Sequence, residues 1–273
     1  MNFSSWWGRH TIEPNRSDLW QLGPMRVWIQ HSTHEWRVAW HHDGDLLDST
    51  VRSVPGSRGE SPPQDAQLVH CVFGSSARED LLFSPALPDR SLISRPVTPL
   101  FVLPNERVTL YVVSPLWLRI EMPATPSQPQ KLIQEIPTYR LSDTWFGPMS
   151  TMGELCYANT SPAYMDLKEV PLRLHCAISS VSIRNSGSDS LRLDRIKIPL
   201  PRLSLFFSPR TGFWTDSFSF ERREDAEMAS LKLEGQPPPE ASPSQFVAGP
   251  RQSASEIKVI RAFSALFKER GQT

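Results

Sequence analysis

The fold class follows from residues 25–40, MRVWIQHSTHEWRVAW. Apolar and polar side chains alternate in residues 25–30 and again in residues 36–40, and the mostly polar residues 31–35 separate the two runs. Three large side chains of the second run fall on one face: Trp36, Val38 and Trp40. This is the pattern of a half-buried strand. We therefore predict a hairpin of two strands with its turn at residues 31–35.

The same alternation recurs further along the chain, in residues 108–112 and 116–120. It also flanks the polar residues 185–190, with apolar side chains at six positions: Val181, Ile183, Leu191, Leu193, Ile196 and Ile198. The 26 prolines break these runs into short lengths. Short alternating strands separated by turns are typical of β-sandwiches. We predict an all-β protein of two β-sandwich-like halves, with a second hairpin that turns at residues 185–190.

The end of the chain carries a different pattern. In residues 254–268 apolar side chains recur at spacings of three and four, which is the period of one helix face. Six residues make this stripe: Ile257, Ile260, Ala262, Phe263, Leu266 and Phe267. A helix of about 14 residues is marginal alone, so its apolar face has to dock. We predict a C-terminal amphipathic helix that docks through Ile260, Phe263 and Phe267, on its own chain or on a partner.

These patterns predict three domains. Residues 1–125 form an N-terminal β domain, residues 126–250 a C-terminal immunoglobulin-like β-sandwich domain, and residues 251–273 a C-terminal helical tail. The candidate linker between the first two is PATPSQPQ, residues 123–130, because proline-rich polar stretches commonly form loops.

The charge balance limits the classes of partner. The 29 Lys and Arg residues equal the 29 Asp and Glu residues, so the formal net charge is zero. Proteins that bind nucleic acid or anionic membranes usually carry a basic field. The sequence therefore predicts that the partner is not a nucleic acid.

The cysteines and the apolar runs indicate the compartment. Cys71, Cys156 and Cys176 are too few for a disulfide framework, so we predict three free thiols. The opening MNFSSWWGRH lacks the apolar core of a signal peptide. The longest apolar run, residues 108–118, falls well short of the roughly 20 residues that span a bilayer. We expect a soluble, cytoplasmic protein that does not insert into the membrane.

The densest mixture of residue types lies in residues 139–157, YRLSDTWFGPMSTMGELCY. Aromatic side chains stand here among carboxylates, and two glycines permit sharp bends. Such a mixture is typical of a loop held rigidly for packing or recognition. We predict an ordered loop between strands, held by hydrogen bonds from backbone amides to Asp143 or Glu154. The predicted binding site has five residues: Asp143, Trp145, Phe146, Glu154 and Tyr157.

The same residues allow a catalytic alternative. Asp143 and Glu154 bracket the motif, and a carboxylate pair on a β scaffold is what a carbohydrate hydrolase uses. The competing interpretation is that Asp143 caps a turn and Glu154 pairs with an arginine such as Arg140. Cys156 stands in no recognised nucleophile motif, and neither does His175 beside Cys176, so a buried structural thiol is the simpler interpretation.

The histidines do not predict a metal site. His31 and His34 could approach His41 and His42 across a hairpin, but neighbouring residues of a strand point to opposite faces, and zinc needs convergent ligands. The sequence also contains no phosphate-binding loop or dinucleotide fingerprint. We therefore predict no metal and no cofactor.

Segments along most of the chain resemble the DUF432 family, a bacterial and archaeal domain of unknown function. Besides residues 139–157, the resemblance rests on WWGRHTIEPN at 6–15, LGPMRVWIQ at 22–30, VPLRLHCAISSVSIRN at 170–185 and VIRAFSALF at 259–267. It carries over no activity and no catalytic residue. It implies an association with a membrane channel, with a mechanosensitive channel as the expected partner.

The leading prediction is a non-catalytic binding or regulatory module whose partner is another protein. The rival is a β-scaffold carbohydrate hydrolase that uses Asp143 and Glu154, and a purely structural subunit is the third alternative. A cleft that holds both carboxylates would favour the hydrolase. An apolar patch beside the tail would favour the binding module.

Overall fold

The computed structural model describes residues 6–45, 47–56, 60–72, 80–126, 128–148, 152–223, 227–253 and 259–264. Within these residues the protein is all-β, which confirms the predicted class: the regular structure consists of strands and three short 3-10 helices. No helix in these ranges is both long and apolar enough to cross a membrane.

The strands of the first half are β1 (Gly8–Thr11), β2 (Ser17–Leu22), β3 (Met25–Ser32), β4 (Glu35–His42), β5 (Val51–Val54), β6 (Gln67–Val72), β7 (Asp80–Ala86), β8 (Leu92–Ser94), β9 (Leu100–Val102), β10 (Arg107–Pro115), β11 (Trp117–Met122) and β12 (Lys131–Pro137). Those of the second half are β13 (Ser142–Phe146), β14 (Glu154–Ala158), β15 (Ala163–Tyr164), β16 (Cys176–Asn185), β17 (Leu191–Leu193), β18 (Arg195–Ile198), β19 (Leu205–Ser208), β20 (Gly212–Thr215), β21 (Phe218–Arg222), β22 (Met228–Leu233), β23 (Gln245–Ala248), β24 (Val259–Arg261) and β25 (Phe263–Ser264). The 3-10 helices are η1 (Leu167–Glu169), η2 (Leu200–Arg202) and η3 (Pro239–Ala241).

The chain forms two compact units that alternate along the sequence. Unit 1 contains Met1–Ala86, Pro115–Arg140 and Arg173–His175, and unit 2 contains Leu87–Ser114, Leu141–Leu172 and Cys176–Thr273. The sequence-based division at residue 125 falls inside unit 1. It lies between β11 and β12, which pair antiparallel, so the proposed linker is the connection of a hairpin. The boundaries of the units therefore do not coincide with those expected from composition.

Unit 1 consists of two antiparallel sheets. Their strand orders are β1-β7-β11-β12 and β5-β2-β3-β4-β6. Trp20 of the second sheet contacts Phe83 of the first, with 5.0 Å between the ring centroids. The predicted hairpin is confirmed: β3 and β4 pair in register from Met25 opposite His42 to Ser32 opposite Glu35. The side chains of Trp36, Val38 and Trp40 are buried, as the alternation predicts.

Unit 2 contains three sheets. The largest has nine strands, with the path β23-β19-β20-β16-β21-β22-β24, β10 beside β16, and β15 beside β10. The second has the order β13-β14-β8-β18-β25, and the third joins β17 to β9. Phe220 of the first sheet contacts Phe263 of the second, with 5.6 Å between the ring centroids.

The prediction of a hairpin that turns at residues 185–190 was wrong. The strands on its two sides exist, but β17 pairs with β9 and β18 pairs with β8 and β25, whereas β16 pairs elsewhere. The Asn185 side chain explains the change of direction, because its amide donates to the carbonyl oxygens of Val102 (2.8 Å) and Asp189 (2.7 Å). Alternation identifies a strand but does not specify which strand lies beside it.

The prediction of a C-terminal helix was also wrong for residues 259–264, the part of the tail that the structure describes. Residues 259–264 form β24, which pairs with β22, and β25, which pairs with β18. The backbone N–H of Ala262 donates instead to the carbonyl of Glu227, which separates the two strands. Apolar residues of two short strands thus produce the spacing of three between Ile260 and Phe263. Phe267 lies outside the described residues.

All three cysteines have free thiols: Cys156 and Cys176 are buried, and Cys71 is half-buried. The described residues contain no cluster of three or more His, Cys, Asp or Glu side chains that could hold a metal ion.

Candidate binding site

The motif at residues 139–157 is a β-hairpin rather than the loop that its composition predicts. Strands β13 and β14 pair antiparallel, from Ser142 opposite Ala158 to Phe146 opposite Glu154. The hairpin lies at one end of the five-stranded sheet, where β14 runs parallel to β8 and β13 is the edge strand. Residues 149–151 of its connection are outside the described residues.

Alternation along the two strands divides the predicted site between two faces. The Trp145 face carries Asp143, Trp145, Leu155 and Tyr157. The Cys156 face carries Thr144, Phe146, Glu154 and Cys156. The structure therefore brings Asp143, Trp145 and Tyr157 together, and it places Phe146 and Glu154 on the other side of the hairpin.

The Cys156 face is a small core covered by cations. Phe146, Cys156 and Ile93 form a buried apolar cluster. The Arg195 guanidinium lies 5.3 Å from the centroid of the Phe146 ring, and the Lys197 ammonium lies 6.0 Å from it. Burial raises the pKa of the Cys156 thiol to about 12, so this thiol stays protonated at neutral pH. Cys156 is therefore buried and protonated, which agrees with the buried thiol that the simpler interpretation of the sequence expected.

Glu154 forms an ion pair with Lys197 on this face. The Lys197 side chain is only 10% exposed, whereas that of Glu154 is 46% exposed. A charge in the position of Lys197 needs a counter-charge, because burial removes its hydration. The carboxylate of Glu154 supplies that counter-charge.

The Trp145 face combines apolar side chains with a polar network. Trp145 and Leu155 are cross-strand partners, and they are 41% and 45% exposed. Arg90 donates to Asp143 (3.1 Å) and lies 5.2 Å from the centroid of the Tyr157 ring. The Tyr157 hydroxyl donates to Asp89 (2.8 Å). Burial and this hydrogen bond raise the pKa of Tyr157 to about 12.

Two glycines shape the backbone beside Trp145, and one of them contacts its indole. Gly147 has a positive φ of 109°, which strains any residue with a side chain. A Cβ on Gly153 would lie 2.3 Å from Nε1 of Trp145, so the indole rests directly on the backbone there. The indole N–H also donates to the carbonyl of Pro148 (2.8 Å). Arg261 of β24 lies beside Gly147, so the end of β13 borders the C-terminal strands.

The arrangement of the two carboxylates does not support a hydrolase. Asp143 and Glu154 lie on opposite faces of the hairpin. Glu154 is opposite Phe146, which is three positions from Asp143 along β13. A cleft of about 350 Å3 beside the hairpin is lined by Glu154 but not by Asp143. Asp143 pairs with Arg90, and Glu154 pairs with Lys197. The sequence predicted backbone amides as partners of either carboxylate, and Arg140 as an alternative partner of Glu154.

The other histidine and tail residues have structural positions. His31 is buried and hydrogen-bonds the carbonyl of Ile12 (2.9 Å), and His42 hydrogen-bonds that of Pro137 (2.7 Å). Burial lowers the pKa of His175 to about 4, and its ring packs against Gly23. The tail residue Ile260 pairs with Ala229 of β22, and Phe263 is buried within unit 2, in contact with Phe220.

The residues that hold the hairpin were missed in the sequence. Arg90 precedes β8, and Arg195 and Lys197 lie on β18, so all three reach the hairpin from elsewhere in the chain. Alternation of Arg195 and Lys197 with Ile196 and Ile198 does predict that the two cations share a face. Nothing in their spacing indicates that this face meets Phe146.

The comparisons with known proteins identify a family. A family model described as "Protein of unknown function (DUF432)" matches residues 6–268, so the chain belongs to the DUF432 family. Searches among curated proteins and among solved structures each gave no match.

Proposed function

We propose that this member of the DUF432 family is a non-catalytic binding module, and that the Trp145 face contacts a partner protein. One observation carries the proposal. Trp145 and Leu155 are cross-strand partners with 41% and 45% of their surface exposed, on a hairpin that is otherwise firmly held. Met152, in the connection of the same hairpin, is 76% exposed. Trp145 and Leu155, which lie side by side, make an apolar patch.

The composition of the patch supports a protein as the occupant. Trp, Tyr, Met and Arg are enriched in protein interfaces, where apolar anchors lie inside a polar rim. Here the rim is the network of Arg90, Asp143 and Tyr157. The charges of this network are balanced, so it offers no basic field for an anionic membrane or a nucleic acid.

The rigidity of the hairpin also supports binding. Trp145 is fixed by Gly153 and by the carbonyl of Pro148, and the opposite face is held by the Glu154–Lys197 ion pair. A surface already ordered in the free protein loses less conformational entropy on association. An ordered hairpin with exposed apolar side chains is therefore suited to recognition of a partner.

A membrane channel of the mechanosensitive type is the partner we propose, on the basis of the family resemblance. The module then acts in the cytoplasm as a soluble protein and regulates or stabilises that channel. We also propose that each unit is a two-layered sandwich, supported by the Trp20–Phe83 contact in unit 1 and the Phe220–Phe263 contact in unit 2.

The test measures the affinity of the full chain for a purified small mechanosensitive channel. Leu155→Ser is compared with Leu132→Ser, because Leu132 is also a strand leucine and is 43% exposed. We expect Leu155→Ser to raise the Kd about tenfold and Leu132→Ser to leave it unchanged. No binding by the wild type, or equal binding by all three proteins, overturns the proposal. Self-association that only Leu155→Ser abolishes replaces the channel by a second copy of the chain.

A further inference from the structure

Four neighbouring strands of the nine-stranded sheet present a polar trough. The strands are β10, β16, β21 and β22, which lie side by side in that order. One face of these strands is apolar and buried, with Leu110, Val181 and Ile183 among its side chains. The other face encloses a cleft of about 380 Å3 whose lining is rich in serine.

The hydrogen bonds between β10 and β16 set the alignment of this trough. The backbone N–H of Asn185 donates to the carbonyl of Glu106 (3.0 Å), and the Ser114 hydroxyl donates to the carbonyl of Ala177 (3.5 Å). The two strands are therefore antiparallel, and the same number of residues separates the two contacts on each strand. This alignment places Arg107 opposite Arg184, one residue inside the Glu106–Asn185 contact.

Two arginines thus face each other on adjacent strands without a counter-ion. Both line the cleft and both are exposed. Like charges directly opposite each other destabilise a sheet. Neither guanidinium has an ion-pair or hydrogen-bond partner among the described residues. The nearest acid in the ladder is Glu221, opposite Arg184, but its carboxylate accepts from the Ser186 hydroxyl (2.9 Å) and pairs with Arg223 (3.9 Å).

The remaining charges of the trough are matched. Lys232 and Glu234 form an ion pair of 2.9 Å on β22 and the residue that follows it. The lining therefore carries three cations, Arg107, Arg184 and Lys232, and two carboxylates, Glu221 and Glu234, so one positive charge is in excess. Arg223, outside the lining, adds a second cation near Glu221.

Hydroxyl groups form the floor beside the arginines. Five residues supply them: Thr109, Ser180, Ser182, Ser217 and Ser219. Ser182 is opposite Ser219 in the parallel β16–β21 pair, so these groups lie in rows across the sheet. Ser180 is only 9% exposed, yet it is one of the residues that line the cleft. A hydroxyl that lines a cleft can donate a hydrogen bond to a ligand bound there.

We propose that this trough binds a ligand through a phosphate group. A phosphate monoester carries between one and two negative charges at neutral pH and three acceptor oxygens. It can therefore neutralise both arginines at once, whereas a carboxylate would neutralise only one. Guanidinium groups bind phosphate oxygens through paired hydrogen bonds, and the neighbouring hydroxyls complete the set of donors. The site is separate from the Trp145 face and does not depend on the function proposed there.

Titration calorimetry of the full chain with inorganic phosphate and with glycerol 3-phosphate, at constant ionic strength, tests this site. Arg184→Gln and Arg107→Gln are compared with Arg210→Gln, a change at an exposed arginine in the same sheet region outside the cleft. We expect each trough variant to weaken phosphate binding at least about tenfold, and the Arg210 variant to bind as the wild type does.

Two further arms identify the source of the phosphate and its charge state. Phosphatidylcholine vesicles with and without phosphatidic acid show whether a lipid headgroup also binds; if it does not, the ligand is a free phosphate compound. Affinity should fall between pH 7.5 and pH 5.5, because phosphate loses its second charge near pH 6. Absence of binding in every phosphate arm overturns the proposal. So does an equal loss in the Arg210→Gln control, which would show diffuse electrostatic attraction.

Discussion

His175 is a single side chain whose burial makes the protein sensitive to acid. The side chain is fully buried against Gly23, and neither ring nitrogen has a hydrogen-bond partner in the described part of the chain. The loss of hydration, together with the positive charge of Arg173, lowers its pKa to about 4. The neutral imidazole is therefore the form that the folded protein tolerates.

This pKa predicts a loss of stability on acidification. In the unfolded chain His175 binds a proton near pH 6.5, so its contribution is complete above that value and declines as the pH falls towards 4. The difference in pKa corresponds to about 3 kcal/mol of unfolding free energy at the acid end. In His175→Leu the free energy of unfolding, measured in urea at pH 7 and pH 4.5, should fall less on acidification than in the wild type. Equal losses would contradict this account of His175.

The residues of the Trp145 face could be identified from the sequence, but their partners could not. Trp145, Asp143 and Tyr157 stand out by type and do share one face. Their partners Arg90 and Asp89 lie more than 50 positions earlier in the chain, and no spacing rule connects such distant residues. The composition of residues 139–157 therefore predicts an ordered segment but not the side chains from elsewhere in the chain that contact it.

At the scale of elements, predictability depends on how far apart paired strands lie in the chain. Strands β3 and β4 are neighbours, and their alternation and turn specify the hairpin. Strand β16 shows equally clear alternation, but its partners β20 and β21 come from much later in the chain. The tail failed for a related reason, because two short strands separated at Ala262 imitate the spacing of a helix.

The ion pairs of the β13–β14 hairpin should differ in their effect on stability. Glu154→Gln leaves the nearly buried Lys197 ammonium without its counter-charge, so we expect the free energy of unfolding to fall by about 1–3 kcal/mol. Asp143→Asn is the matched control, because it breaks an exposed pair with Arg90 and should cost less than about 0.5 kcal/mol. Urea denaturation of the two variants measures both changes. Losses of the same size in the two variants would show that the burial of Lys197 does not determine how much its ion pair contributes to the free energy of unfolding.

The whole molecule is built by a chain that alternates between its units. It passes from one unit to the other five times, so each unit depends on segments distant in sequence. Unit 1 in particular needs β11 and β12, which complete the sheet begun by β1 and β7. Composition cannot show this, because the proline-rich residues near 125 look the same in a hairpin connection and in a linker.

Separation of the chain at residue 125 should therefore fail. A protein of residues 1–125 lacks β12, and it leaves the apolar strand β11 as an exposed edge. We expect it to show no cooperative unfolding transition by circular dichroism, whereas the full chain unfolds cooperatively. A folded, monomeric fragment of residues 1–125 would instead support the boundary drawn from the sequence.

Site-specific photo-cross-linking tests the central claim, contact through the Trp145 face, most directly. A photoreactive amino acid is placed at Leu155 in one protein and at Leu132 in another, since the two leucines are similarly exposed. Each protein is then irradiated with the purified small mechanosensitive channel. We predict that position 155 forms a cross-link to the channel and that position 132 does not. A cross-link from position 132 alone, or none from either position, would contradict the assignment of the Trp145 face as the contact surface.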